Sequence, residues 1–291
     1  EICDADEIRC IVENIQNTKM KKDKLSLLLS FLLRFAIASV LGIFFLLIGF
    51  IFYKGILNLN LSLFEWNYNS ENISMMPAII NTINMIICAI CIAMPVGIFG
   101  AIFLTQYTRK KSKILRLINI ASETLVGIPS IVYGLFGYLA FVIYFGFKTS
   151  FIAGVLTLSI MILPLILRSS EEALKSVFEG YKEAALALGA SKIRTIFVII
   201  LPSAISGILA GIILSIGKIV GESAALLYTS GSVAKVAGLF DSGRTLSVHM
   251  YAISSEGLHI NAAYSTAMIL ILIVLAINLF ANFIAKKLLR V

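Results

Sequence analysis

Six stretches of the chain are almost unbroken in apolar residues: 31–53, 78–104, 117–145, 151–167, 203–220 and 264–285. A helix needs about 20 residues to cross a hydrocarbon core of about 30 Å. Inside that core only a helix or a closed barrel pairs every backbone polar group. Apolar runs of this length predict six transmembrane helices and an all-α polytopic membrane protein. The third run is longer than a crossing requires and is expected to begin as an interfacial helix, whereas the fourth is short.

The polar connections between these runs are unequal in charge. Arg9, Lys19, Lys21, Lys22, Lys24 and Arg34 precede or open the first run, and Arg109, Lys110, Lys111, Lys113 and Arg116 separate the second from the third. Arg168, Lys175, Lys182, Lys192 and Arg194 lie between the fourth and fifth, and Lys286, Lys287 and Arg290 follow the sixth. The alternate connections hold only Lys54, Lys148, Lys235 and Arg244. Basic residues mark the cytoplasmic side, so both termini and the connection 169–202 are expected there, in a multi-pass protein of the cell membrane. The expected organisation is a cytoplasmic tail 1–30, a first span with its outside loop 31–77, a core 78–285 containing the connection 169–202, and a basic tail 286–291. The stretch 1–19, polar and ahead of Met20, reads either as a cytoplasmic extension or as sequence outside the native start.

Composition agrees with this picture: the 291 residues are 59% hydrophobic and 14% charged, with mean hydropathy +0.97. The net charge of +8 is accounted for by topology and anionic lipid head groups, and calls for no nucleic acid. Cys88 and Cys91 form a C-x-x-C inside the second run without a second Cys or His pair, so they read as packing residues and not as a metal or redox site. Gly211-Ile-Ile-Leu-Ser-Ile-Gly217-Lys218-Ile219 has five residues between its glycines where a phosphate loop has four, lacks the following Ser or Thr, and sits in a span whose amides are already paired. Neither His249 nor His259 belongs to a catalytic constellation, and Glu123 reads as an interfacial anchor. No enzyme is indicated. The glycine pairs Gly207/Gly211 and Gly217/Gly221, each at spacing four, predict close helix packing.

The connection between the fourth and fifth runs is the most informative segment. Ser169-Ser170-Glu171-Glu172 fits a capping box, and Leu174, Val177, Tyr181, Ala185 and Leu188 recur at helical spacing after it. Gly189 is expected to stop that helix. Ser191 is placed to cap a second one with the apolar face Ile193, Ile196, Phe197 and Ile200, ending where Pro202 resets the backbone. The product is a helix–glycine–helix elbow, and Ala184 and Ala185 beside its bend suit docking into a partner's cleft better than anchoring in lipid.

Glu183-Ala184-Ala185, then Gly189, then Leu201-Pro202 at this spacing resemble the coupling loop of permease subunits of ABC importers. The resemblance implies that these six residues engage a separate ATPase. Gly127-Ile-Pro-Ser-Ile-Val-Tyr-Gly134-Leu-Phe-Gly137 and Gly217-Lys-Ile-Val-Gly-Glu-Ser-Ala-Ala-Leu-Leu-Tyr-Thr-Ser-Gly231 are similar to phosphate-specific permeases, the A-type subunit more than its C-type companion, over roughly residues 78 to 285. The implied partners are a second, C-type permease, two cytoplasmic ATPase subunits and an extracytoplasmic phosphate-binding protein. ATP and magnesium would sit on those ATPases, with no cofactor on this chain. Two departures stand out: Lys218 occupies a position where the family usually carries Arg, and Phe178 one where Pro is common. Another oxyanion or small solute as cargo, and an ATP-independent anion channel, are the rival readings, the latter having no use for a docking element.

Within the spans, Pro129 lies about 18 Å along the third run and should interrupt it. A fresh helix start there would aim amides, with the hydroxyls of Ser130 and Tyr133, at an oxyanion; a kink serving packing alone is the other reading. Lys218 and Glu222 stand four apart near the outer end of the fifth run, about 24 Å from Pro202. A charge in a span marks a solute path or a partner, and a lysine that snorkels to the surface is the alternative.

Overall fold

The computed structural model describes residues 24–69, 72–108, 112–257 and 259–288. The basic residues Arg9, Lys19, Lys21, Lys22, Arg109, Lys110, Lys111 and Arg290, and most of the tail 1–30, lie outside them. Among the described residues all regular structure is helical. Five helices among these residues are long and apolar enough to cross a membrane, or up to six if the bent pair Lys113–Val126 and Ser130–Tyr144 is one span.

Helix α1, Lys24–Leu57, straddles the division of the chain into two compact units at Tyr53/Lys54. The second unit holds the rest. A short 3-10 turn, Leu61–Phe64, leads to α2, Met76–Ile102, which runs on through a wider π turn, Phe103–Tyr107. Helix α3, Lys113–Val126, starts where the Ser112 hydroxyl accepts from Ile114 N. Helix α4, Ser130–Gly137, continues through the π turn Tyr138–Tyr144. Ser150 caps α5, Phe151–Lys175, by accepting from Ala153 N. Next come α6, Glu179–Ala187, α7, Lys192–Thr195, the π turn Ile196–Ile200 and α8, Leu201–Gly221. Helices α9, Ala224–Thr229, α10, Leu246–Glu256, and α11, Ile260–Leu288, complete the order.

The third span is not a single rod. Helices α3 and α4 meet at 103° across Gly127–Pro129. Leu115, Ile118, Asn119 and Ser122 form the covered face of α3, while Ile114, Leu117 and Leu125 stay exposed, the two-faced pattern of a helix at an interface. The tyrosine hydroxyl of Tyr133 donates to Leu125 O at 2.7 Å, tying the two halves together across the break.

Helix α5 is the centre of the bundle, with α2 and α8 on either side. Met85, Ala89, Ala93, Leu158, Ile162, Ile166, Ile219 and Leu226 build its main core. A second core, Ala101, Ile102, Ala173, Leu174, Ile196, Ile200, Ala204 and Ile208, joins the far ends of the same three helices. Packing is close where side chains are small: a Cβ on Gly207 would stand 2.6 Å from Ala173 Cβ, and one on Gly211 2.5 Å from Ser169 Cβ. The second glycine pair behaves differently, since a Cβ added at Gly217 or Gly221 would meet nothing within 4 Å. Expected close packing therefore holds for one pair and fails for the other within this chain.

Candidate coupling elbow and translocation groove

Ser169–Glu172 does not open a helix. These residues lie inside α5, where the backbone amides are already paired, so Ser169 Oγ donates back to Ile166 O and Glu172 bonds Arg168 Nε at 3.2 Å. The break comes later, at Ser176–Phe178, where Phe178 takes φ −58°, ψ 122°. Those are angles suited to a proline, so the chain bends there without one. Helix α6 then ends in paired backbone bonds, Ala190 N to Ala185 O and Gly189 N to Leu186 O, with Gly189 at φ +82°. This is the Schellman closure, in which a left-handed residue satisfies the last carbonyls and glycine fits without strain. Ser191 follows as the cap of α7, its hydroxyl accepting from Arg194 N.

Pro202 does not reset the backbone. Helical structure is continuous from Lys192 to Gly221. The π turn Ile196–Ile200 widens the coil just before the proline, where an ordinary turn would set the ring against the carbonyl four residues back. Of the six elbow residues, Ala185 is buried and Leu201 half-buried, whereas Glu183, Ala184, Gly189 and Pro202 are exposed. The expected apolar faces split likewise. Leu174, Ala185, Ile196 and Ile200 are buried and Val177 half-buried, but Tyr181, Leu188, Ile193 and Phe197 are exposed, Leu188 at 89%; Phe178 and Leu186 are exposed beside them. Lys192 Nζ lies 4.1 Å above the Tyr107 ring, fastening the bend to the end of α2.

Lys218 and Glu222 part company in the structure. Helix α8 stops at Gly221, and Glu222 turns extended at φ −77°, ψ 123°. Its carboxylate accepts from Ala225 N at 3.0 Å and its carbonyl from Ser247 Oγ at 2.5 Å. Glu222 thus starts α9 and is buried; the helical spacing that would have set it beside Lys218 ends one residue too soon. Lys218 has no ion-pair partner among the described residues, where the pairs are Arg168–Glu123, Arg168–Glu172, Lys175–Glu171 and Lys235–Asp241.

Nor is Lys218 near the outer end of the bundle. Gly207 faces Ala173 and Gly211 faces Ser169, so each turn forward along α8 meets a turn back along α5. Continued, this register sets Lys218 level with Ile162. Across α5, Ser159 Oγ reaches Ala89 O at 3.4 Å and Gly97 faces Ile166. Lys218 therefore stands level with the middle of the apolar run 78–104. It lines an open groove of about 810 Å³ with Leu165, Ile213, Leu214 and Gly217, and with Asn278 and Asn282 from α11. The sequence reading missed these two asparagines, although two amides one turn apart in an apolar run were the available signal.

At Pro129 the expected helix start is present, as Pro129 is the residue before α4. The straight-rod distance of about 18 Å along the third run does not carry over across a 103° bend. Tyr133 spends its hydroxyl proton on Leu125 O, bracing the break in this conformation. Pro129 is exposed and Ser130 half-buried. Glu123 is more than an anchor: its Oε1 lies 3.0 Å from Arg168 Nη1, linking α3 to α5.

A further polar cluster went unread. Arg244, 5% exposed, stacks 4.6 Å above the Tyr68 ring, and Asn81 Nδ2 binds the carbonyls of Lys235 and Arg244. The fully buried His249 meets Tyr68 edge-on, and neither ring nitrogen has a hydrogen-bond partner among the described residues. Burial, then the charge of Arg244, push the His249 imidazole down to about 3, with the Ile73 backbone acting in the other direction.

Five or six helical spans with such an elbow on one side fit a membrane translocation subunit. Residues 93–290 match the family described as binding-protein-dependent transport system inner membrane component, and the chain belongs to that family. Its members are translocation components and not enzymes. The chain is 33% identical over 288 residues to the phosphate transport system permease protein PstA of Yersinia pestis, covering 94% of this chain and 92% of that one. It is 34% identical over 221 residues to the probable ABC transporter permease protein YqgI of Bacillus subtilis, covering 70% and 75%. Against some relatives the match is partial: it takes in 33% of the PstA homolog of Mycoplasma pneumoniae. Among solved structures, a chain of a bacterial alginate ABC transporter, in complex with its alginate-bound periplasmic protein, superposes with TM-score 0.67 at 16% identity, covering 93% of this chain and 98% of that one. That likeness establishes the fold.

Proposed function

We propose that this chain is the A-type permease subunit of a phosphate importer, paired with a C-type permease and served by two cytoplasmic ATPases and an extracytoplasmic phosphate-binding protein. Both termini and the elbow face the cytoplasm, as the basic connections require. The observation that carries the reading is the elbow. It is built to a fixed geometry by the Gly189 closure and the Ser191 cap, yet it leaves Tyr181, Leu186, Leu188 and Ile193 exposed. Such a rigid apolar projection suits a groove on a protein partner. In this reading Glu183, Ala184, Gly189 and Pro202 meet the ATPase, while Ala185 and Leu201 seat the elbow on the bundle. Nucleotide and magnesium stay on the ATPase, and ATP-driven closure reaches the spans through the continuous helix 192–221.

Phosphate as cargo rests on the near full-length similarity to a phosphate permease and on Lys218, an unpaired cation at mid-depth beside an open groove. A charge so placed is costly in lipid and faces a partner or a wet path. A lysine side chain on a helix also slopes toward the helix N-terminus, here back toward the elbow, so snorkelling outward would run against it. Purifying the tagged chain from its native membrane tests the assembly. Recovery of a Walker-type ATPase, a second permease and a phosphate-binding protein is expected, and recovery of the chain without any ATPase would overturn the coupling role.

A further inference from the structure

Asn278 and Asn282 stand one turn apart on α11 and open onto the groove that Lys218 lines from α8. Asn278 is half-buried and Asn282 exposed, and neither side chain makes a hydrogen bond among the described residues. The remaining walls are apolar, from Leu165, Ile213 and Leu214, and the groove is widened by the absent side chain of Gly217. An amide facing hydrocarbon with no partner is unfavourable. Two of them beside an unpaired ammonium in one groove define a face that lipid does not wet.

The chemistry of the three groups is specific. Lys218 offers up to three N–H donors and a positive charge, each asparagine adds two N–H donors and one carbonyl acceptor, and among the described residues no carboxylate lines the groove. Donors alone would suit any oxyanion. The acceptors add a place for an oxyanion that still carries a proton, such as dihydrogen or hydrogen phosphate, and give nothing to fully deprotonated sulfate. We infer that Asn278 and Asn282 form, with Lys218, a subsite for a protonated oxyanion on the translocation path. This rests on the phosphate reading above and names residues that reading does not contain.

The test uses the full complex in proteoliposomes, with ATP inside and radiolabelled phosphate supplied on the binding protein. Wild-type uptake comes first: if phosphate is not transported, the proposed function fails and not this inference alone. Given uptake, Asn278→Leu with Asn282→Leu is expected to lower kcat/KM on the order of ten-fold or more, the range for lost hydrogen bonds to a charged group. Asn278→Asp, which is nearly isosteric but repels an anion, is expected to lose uptake while retaining the ATPase. Should a leucine variant fail to assemble, Asn282→Cys in a cysteine-free background supplies the reading. Attack by a small charged thiol reagent, slowed by phosphate and not by sulfate, is expected. Wild-type kinetics in the double leucine variant, or an Asn282→Cys that is inert to the reagent in the assembled complex, would overturn the subsite.

Discussion

His249 is held neutral by its surroundings, and this has a definite consequence for stability. Its ring is fully buried beside the Arg244 guanidinium and is pushed to about 3, whereas in an unfolded chain it titrates near 6.5. Between those values the unfolded state binds the proton and the folded state does not, so stability is complete above about pH 6.5 and falls as pH drops toward 3. Thermal unfolding of the purified chain in detergent should show this decline, and His249→Phe should flatten it. Parallel acid loss in both proteins would assign the effect to other groups. Single residues were the scale least legible in the sequence. Spacing placed Glu222 beside Lys218, but the helix ends at Gly221 and the carboxylate caps α9 instead. The Tyr133 hydroxyl was open to an anion until its bond to Leu125 O was seen. Arg244 and His249 could not be paired from sequence, because the contact joining them passes through Tyr68, far away in the chain.

Helices were legible wherever one local signal decided them. Gly189 and Ser191 stand where their backbone roles require, and the length of the third run gave away its extra, interfacial segment. Ser169–Glu172 failed because a capping box acts only if the preceding helix has ended, and α5 packs on α2 and α8 without interruption past it. Pro202 failed for a related reason, the π turn before it making room for the ring. The elbow gives the prediction at this scale. Gly189 has open space around it, so Gly189→Val meets no clash, only the strain of a branched residue at φ +82°. The Ala190-to-Ala185 closure should give way and the angle between α6 and α7 should change, while the spans assemble as before. Phosphate uptake is expected to fall at least ten-fold with protein level unchanged; normal uptake with the ATPase normally bound would remove the elbow from the coupling path.

At the scale of the molecule, α5 sets the register of everything around it. Small residues on α2 and α8 bring both helices onto its flanks, and the α5 to α8 register carries Lys218 to mid-depth. The elbow is attached to the same helices: it leaves α5 at Ser176 and returns through the unbroken run 192–221. A force applied at the elbow therefore reaches Lys218 along one continuous helix that starts at Lys192, about 39 Å of it. Five of the six expected crossings, and the bent pair in place of the other, were readable from apolar length alone. The depth of Lys218 was not, because it depends on where α8 stops relative to its neighbours. The central claim is that an ATPase-driven elbow moves phosphate past Lys218. Its most direct test is ATP-dependent phosphate uptake by the reconstituted complex carrying wild-type chain, Lys218→Arg or Lys218→Gln. Wild-type and Lys218→Arg should accumulate phosphate only with ATP, and Lys218→Gln should bind the ATPase yet accumulate almost none; uptake by Lys218→Gln at the wild-type rate would contradict the account.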